Sequence, residues 1–180
     1  MKLLIASDLH GSALYTRALL DAFAREKAGR LVLLGDLLYH GPRNDLPEGY
    51  APKEVIPLLN GLRDRILCVR GNCDAEVDQM VLDFPLMADY AVLPLGETMI
   101  YLTHGHVYNK DHCPPLAPGD ILLHGHTHVP AWGRVEDLFC ANPGSVSLPR
   151  GRSDHSCLLY EDGIFRWMTL DGEEYHWEAL

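Results

Sequence analysis

Seven side chains able to bind a divalent cation stand just behind apolar runs in this 180-residue chain. Asp8 and His10 follow Leu3-Leu4-Ile5-Ala6. Asp36 follows Leu31-Val32-Leu33-Leu34 and Gly35, and Asn72 follows Ile66-Leu67-Cys68-Val69. His104 follows Ile100-Tyr101-Leu102-Thr103, and His126 and His128 follow Ile121-Leu122-Leu123. Short apolar runs of this kind read as buried strands. Ligands of α/β sheets gather outside the carboxyl ends of strands, so the seven groups are expected to form a ring there. In extended chain, residues two apart share a face; on that rule Asp8 and His10 converge as a continuation of the first strand.

Two carboxylates, one amide and four imidazoles are too many donors for one tetrahedral zinc. They suit two divalent ions held by mixed nitrogen and oxygen ligands, about 3.5–4 Å apart, the arrangement used for phosphate-ester hydrolysis. One carboxylate must then be shared. Asp36 is the natural bridge, because its strand is expected between the other two. Hard oxygen donors with imidazole fit Mn, Fe or Zn without choosing among them.

The elements that must position these groups follow from spacing. Ser12 is a good N-cap for a helix over 13–27 with Leu19, Ala22 and Phe23 facing a core. The strand–helix–strand order predicts a parallel pair with a right-handed crossover. A loop from Tyr39 to Pro52, rich in Gly and Pro, carries His40, Arg43, Asn44 and Asp45; loops this long are commonly functional. A helix is expected over 53–62. Beyond residue 90, short apolar segments alternate with turn signals, and Asp162-Gly163 is a strong hairpin signal. The fold class is therefore α/β, one domain over residues 1–180, with two β-layers and helices outside.

The formal net charge of −10 argues against long nucleic acids and against the anionic face of a membrane. The five cysteines are odd in number and form no Cys-x-x-Cys pair; a reducing, cytoplasmic setting fits them better than a disulfide framework. The N-terminal apolar run is too short and too soon charged for a signal peptide. His40, His112, His155 and His176 are expected at the surface. The C-terminal hairpins, with Trp132, Trp167 and Trp177 among the β-segments, would support a homo-oligomer.

Asp8-x-His10, Gly35-Asp36, Gly71-Asn72-x-Asp74, His104-x-His106 and Gly125-His126-Thr127-His128 resemble, in order, the five motifs of the calcineurin-like metallophosphoesterases. The stretches 41–52, 71–80 and 142–147 resemble a bacterial phosphodiesterase branch of that family. The resemblance implies a four-layer sandwich, two β-sheets flanked by helices. It assigns Asp8, His10, Asp36 and His128 to a first metal, and Asp36, Asn72, His104 and His126 to a second. His106 and His124 match no ligand position. The expected cofactor is two divalent ions, Mn foremost, then Zn, Fe or Ni. The expected substrate is a small phosphodiester, attacked by a hydroxide activated between the metals. Most of the family has His after the Asn; here it is Cys73, a neutral thiol with no positive charge to aid phosphate or leaving group. Cys73 and Asp74 are the candidate catalytic residues beyond the ligands, and Arg43 and Asn44 the candidate substrate contacts. The readings set against a diesterase are a phosphomonoesterase, and a non-catalytic scaffold resembling the family's retromer subunit, in which the ligand set is degraded.

Overall fold

The computed structural model describes all residues 1–180 and contains two mixed β-sheets. β1 (Lys2–Ala6), β2 (Arg30–Leu33) and β3 (Ile66–Cys68) run parallel, with β2 in the middle. Helix α1 (Ala13–Arg25) makes the first crossover and α2 (Pro52–Asn60) follows the long loop. The chain then builds a second sheet from β4 (Tyr90–Leu95), β5 (Thr98–Thr103), β6 (Ile121–Leu123), β7 (Ala131–Val135) and β8 (Leu138–Asn142), in the order β4-β5-β6-β8-β7. It returns to the first sheet through β9 (Ser156–Glu161), which pairs antiparallel with β1. β10 (Ile164–Thr169) and β11 (Glu174–Ala179) complete the order β11-β10-β9-β1-β2-β3.

Alternation along the strands splits the core in two. Leu4, Ala6, Leu31 and Leu33 face α1 and α2, where they meet Leu19, Phe23, Val55 and Leu59. Leu3, Ile5, Val32 and Leu34 face the second sheet and meet Ile100, Leu102, Ile121 and Leu123. β1 and β2 are thus covered on both faces, which is why their sequences are continuously apolar.

The expected two-sheet core is present, and its outer cover differs between the two sides. Both long helices lie on the first sheet. On the outer face of the second, Tyr101 and Thr103 meet Tyr108, Pro114 and Pro115 of the segment between β5 and β6, so irregular chain takes the place of a helix. Pro114 and Pro115 suit that role, since proline removes the N–H a helix would need.

Local signals are mostly realised. Ser12 caps α1, its Oγ accepting from the Tyr15 N–H at 3.2 Å. The helix stops at Arg25, two residues before the expected end, and Lys27 turns left-handed (φ 52°). Asp162 and Gly163 both have positive φ (49° and 84°) and form the two-residue hairpin between β9 and β10. Trp167 is wholly buried and donates its indole N–H to the Asn142 carbonyl at 2.8 Å, whereas Trp132 and Trp177 are exposed. Of the four histidines expected at the surface, only His112 is fully exposed. His40 lies edge-on to Tyr39 and Tyr50, His155 stacks on Tyr15, and His176 stacks on Trp132.

Candidate metal centre

The carboxyl ends of β1, β2, β3, β5 and β6 meet at one edge of the sandwich and bring the seven expected donors together. Asp8, His10, Asp36, His104 and His128 are buried, and Asn72 and His126 stand nearer the cleft. Asp8 and His10 converge for a reason other than the one expected. β1 ends at Ala6, so the pleat does not extend to them. Asp8 (φ 59°) and His10 (φ 45°) are in left-handed conformation, as are Asp36 (56°), His126 (67°) and His128 (61°). Such backbone costs a side-chain-bearing residue energy and persists where surrounding bonds over-determine it. Five of the seven donors carry that strain.

The bonds that impose it come from the main chain. Asp8 N–H donates to Gly35 O, and His10 N–H to Asp36 O, which ties the loops after β1 and β2 together. Asp74, expected among the catalytic residues, is instead a buried tie. Its Oδ2 accepts the N–H groups of Asp36 (2.8 Å) and Gly71 (2.7 Å), and its Oδ1 accepts that of Leu37 (2.8 Å). With both oxygens engaged it ties together the loops after β2 and β3, and it is buried and does not line the cleft. Gly71 passes so close to Asp36 that a Cβ there would collide with its carboxylate and its backbone nitrogen. The segment Asn142-Pro143-Gly144-Ser145-Val146-Ser147 straps the two sheets. Asn142 donates to Gly125 O and Thr127 Oγ1, while Ser145 and Ser147 donate their hydroxyls to Asp8 O.

Three imidazoles have their tautomer set by a backbone carbonyl. The Nδ1–H groups of His10, His104 and His128 donate to Tyr39 O (2.8 Å), Leu34 O (2.7 Å) and Leu148 O (2.7 Å). Their Nε2 atoms therefore turn inward as lone pairs, the orientation that metal-binding histidines take from an outer hydrogen bond. Inside the ring the Nε2 lone pairs of His10 and His128 face each other. His10 Nε2 and His128 Nε2 are 3.2 Å apart, as are His104 Nε2 and His126 Nδ1. Asp8 Oδ1 lies 3.3 Å from His128 Nε2 and 3.6 Å from His10 Nε2, is fully buried, and accepts no hydrogen bond. Asp36 Oδ2 lies 3.7 Å from His10 Nε2 and 3.4 Å from His104 Nε2, so it touches both halves of the ring. Converging lone pairs around an orphaned buried carboxylate oxygen require positive charge. The residues fit divalent cations.

In the metal-free chain, protons must supply that charge. Burial alone would raise the Asp8 carboxyl, but the adjacent imidazoles of His10 and His128 hold it well below the usual range. Burial would likewise lower His104, but its hydrogen bond to Asp36 and the charges of Asp8 and Asp36 push it up to about 9. A histidine whose folded pKa is raised from 6.5 to about 9 stabilises the fold fully below pH 6.5, and that contribution is lost as pH rises through about 9. Metal-free protein is therefore expected to melt at progressively lower temperature across that window. Saturating divalent ion is expected to flatten the slope, because the ion takes the proton's place. Parallel melts with chelator and with Mn at several pH values check this; equal slopes would sink it.

A cleft of about 270 Å³ opens over the ring, and Asp36, Asn72, Cys73, His126 and His128 form its floor. Cys73 lies half-buried beside Asp36, its N–H donating to Asp36 Oδ1 at 2.7 Å. Burial and the Asp36 carboxylate push its thiol up to about 12, so it is neutral at pH 7. Arg43 lines the cleft wall, exposed. Asn44 lines it too, but its amide is already engaged: Nδ2 donates to His40 O (2.8 Å) and Oδ1 accepts from Arg150 Nη2 (2.7 Å). Arg150 is the cleft residue that sequence reasoning missed. No motif marks it, and only the return from the second sheet to the first brings it to the cleft, against Asn44. His106 is exposed, and His124 is buried against Asn142, outside the donor ring.

This geometry has relatives. A family model described as a calcineurin-like phosphoesterase superfamily domain matches residues 1–162. The chain is 44% identical over 173 residues to phosphodiesterase YfcE of Escherichia coli (strain K12), covering 96% of this chain and 94% of that one. A solved structure of YfcE, a phosphoesterase from E. coli, matches with a TM-score of 0.96 at 43% identity, over 99% of both chains. Wild-type Vps29 from Entamoeba histolytica, solved with Zn²⁺, matches in fold with a TM-score of 0.59 at 20% identity, over 100% of this chain and 98% of that one. The family match runs from the first residue through β9 and takes in all seven donors, and on it the chain belongs to the calcineurin-like phosphoesterase superfamily.

Proposed function

We propose that the protein is a metal-dependent phosphodiesterase acting on small phosphodiesters, with two divalent ions, Mn foremost, held by Asp8, His10, Asp36, Asn72, His104, His126 and His128. The observation that carries this is the complete ring of donors around the unpartnered Asp8 Oδ1. Asp36, which reaches both halves of the ring, would be the shared ligand. Metallophosphoesterases use divalent ions, and two such ions would lower the pKa of water to give a hydroxide nucleophile and neutralise charge growing on the phosphoryl oxygens.

The chain's own residues do the rest. Their outer hydrogen bonds hold the imidazoles with lone pairs inward, so little reorganisation accompanies turnover. The cleft is small, which suits a small ester better than a polymer. Arg43 and Arg150 place positive charge on its wall in a chain of net charge −10, enough to draw in a small anion locally. No helix is long and apolar enough to cross a membrane.

Bis(p-nitrophenyl) phosphate tests the reading directly. Chelator is expected to abolish its hydrolysis and Mn to restore it, with p-nitrophenyl phosphate turned over far more slowly. Preference for the monoester would make the protein a monoesterase. No turnover of either with any of Mn, Zn, Fe or Ni would leave the scaffold reading, which the intact donors disfavour.

Cys73 bears on the leaving group. A neutral thiol offers neither positive charge nor an easily released proton, so esters with good leaving groups should be favoured. Cys73→His is expected to raise turnover of a dialkyl phosphodiester, whose only leaving groups are poor ones, by about a hundredfold, the lower end of general-acid catalysis, with bis(p-nitrophenyl) phosphate little changed. An unchanged leaving-group dependence would remove position 73 from the chemistry.

A further inference from the structure

The two arginines at the cleft do not line it alone. Arg43, Asn44 and Arg150 also wall a groove that leads on from it, together with Asp45, Leu148 and Pro149. None of the seven metal donors reaches this groove. Arg17, Arg25, Arg63 and Arg166 pair with carboxylates, and Arg30, Arg65 and Arg70 donate to backbone carbonyls, all away from this groove. Arg43 and Arg150 pair with no carboxylate, and that includes Asp45, the one in the groove.

Arg150 is also held in place. Its Nη2 donates to Asn44 Oδ1 at 2.7 Å, and its backbone N–H donates to the His128 carbonyl at 3.0 Å. Asn44 in turn donates to His40 O. The Asn44 bond ties the loop after β2 to the loop after β8 and orients the guanidinium, while the backbone bond sets the Arg150 main chain beside His128. A fixed guanidinium with unused N–H groups suits bidentate recognition of phosphate.

We propose that this groove is a subsite for a second anionic group, so that the preferred substrate is a phosphodiester with a further phosphate on one substituent. The scissile phosphoryl group would lie over the metal ring, and the second phosphate would lie between Arg43 and Arg150. The inference rests on the diesterase reading for the identity of the first group, and on the groove alone for the second. Asn44, expected as a substrate contact, acts here as the residue that positions Arg150.

The test is a binding ratio, measured by calorimetry on the Mn-loaded protein. The probes are adenosine 3′,5′-bisphosphate and adenosine 5′-monophosphate. The bisphosphate is expected to bind about tenfold tighter or more, the value of one good charge-assisted pair. Arg43→Gln and Arg150→Gln should each bring the ratio to within about twofold of one. Equal binding of the two probes to the unsubstituted protein would overturn the subsite, and so would a ratio that survives both substitutions. The ratio is read without turnover, so inactivity toward bis(p-nitrophenyl) phosphate beside an intact ratio would sink the diesterase reading and leave the subsite standing.

Discussion

Asp36→Asn is expected to lower metal-dependent diester hydrolysis by about a thousandfold or more, equivalent to roughly 4 kcal/mol of transition-state stabilisation. The substitution keeps the shape of the side chain and an oxygen able to accept the Cys73 N–H, a bond of 2.7 Å in the parent. What it removes is the negative charge that touches both halves of the donor ring. An amide oxygen is a weak bridge between two cations, so bound metal should fall from two ions per chain to one or none, read by elemental analysis. The chelated variant should also lose the part of the parent's pH-dependent stability that the Asp36 carboxylate supplies through His104, so metal content and turnover are the deciding readouts. A variant that kept two ions and full turnover would refute the shared-ligand reading.

Asp74→Asn should act through the fold. The carboxylate gathers three backbone N–H groups from the loops after β2 and β3. An amide replaces one acceptor oxygen with an NH₂ group, which then faces a backbone donor with no water to relieve it. A buried donor left without an acceptor costs about 1–3 kcal/mol, and hydrogen bonds to a charged acceptor are worth more than neutral ones. A loss of about 3 kcal/mol in urea unfolding of the metal-free protein is expected. The loops it ties carry Asp36 and Asn72, so Mn affinity should also fall, by about 10–100-fold. Were Asp74 a proton-transfer residue, turnover would drop with stability and metal affinity kept, and the two outcomes do not overlap.

Much of this centre was legible in the residues. A carboxylate or imidazole just past an apolar strand has few stable fates unless something charged meets it, and the chain repeats that pattern at five strand ends. Type, order and spacing were enough to nominate seven candidate donors, which the fold gathers at one edge, and to place the strand before Asp36 between β1 and β3. The hairpin at Asp162-Gly163 and the cap at Ser12 were legible for the same reason: each rests on the intrinsic chemistry of one or two residues.

Other features depend on contacts between distant segments, and local pattern does not carry them. The convergence of Asp8 and His10 looked like strand alternation; it comes from left-handed backbone enforced by bonds to Gly35 and Asp36. Asp74 looked like a reacting group because it sits beside the donors in sequence; three N–H groups from two loops make it a structural anchor. Asn44 looked like a substrate contact, and Arg150, 106 positions away, has taken its amide oxygen. The sequence by itself determined which atoms could bind metal, because donor chemistry belongs to the side chain. Tertiary structure decided which lone pairs face inward, which carboxylate oxygen is left unpartnered and which arginines flank the cleft, because those depend on where the strap from β8 to β9 lies against the loops of the first sheet.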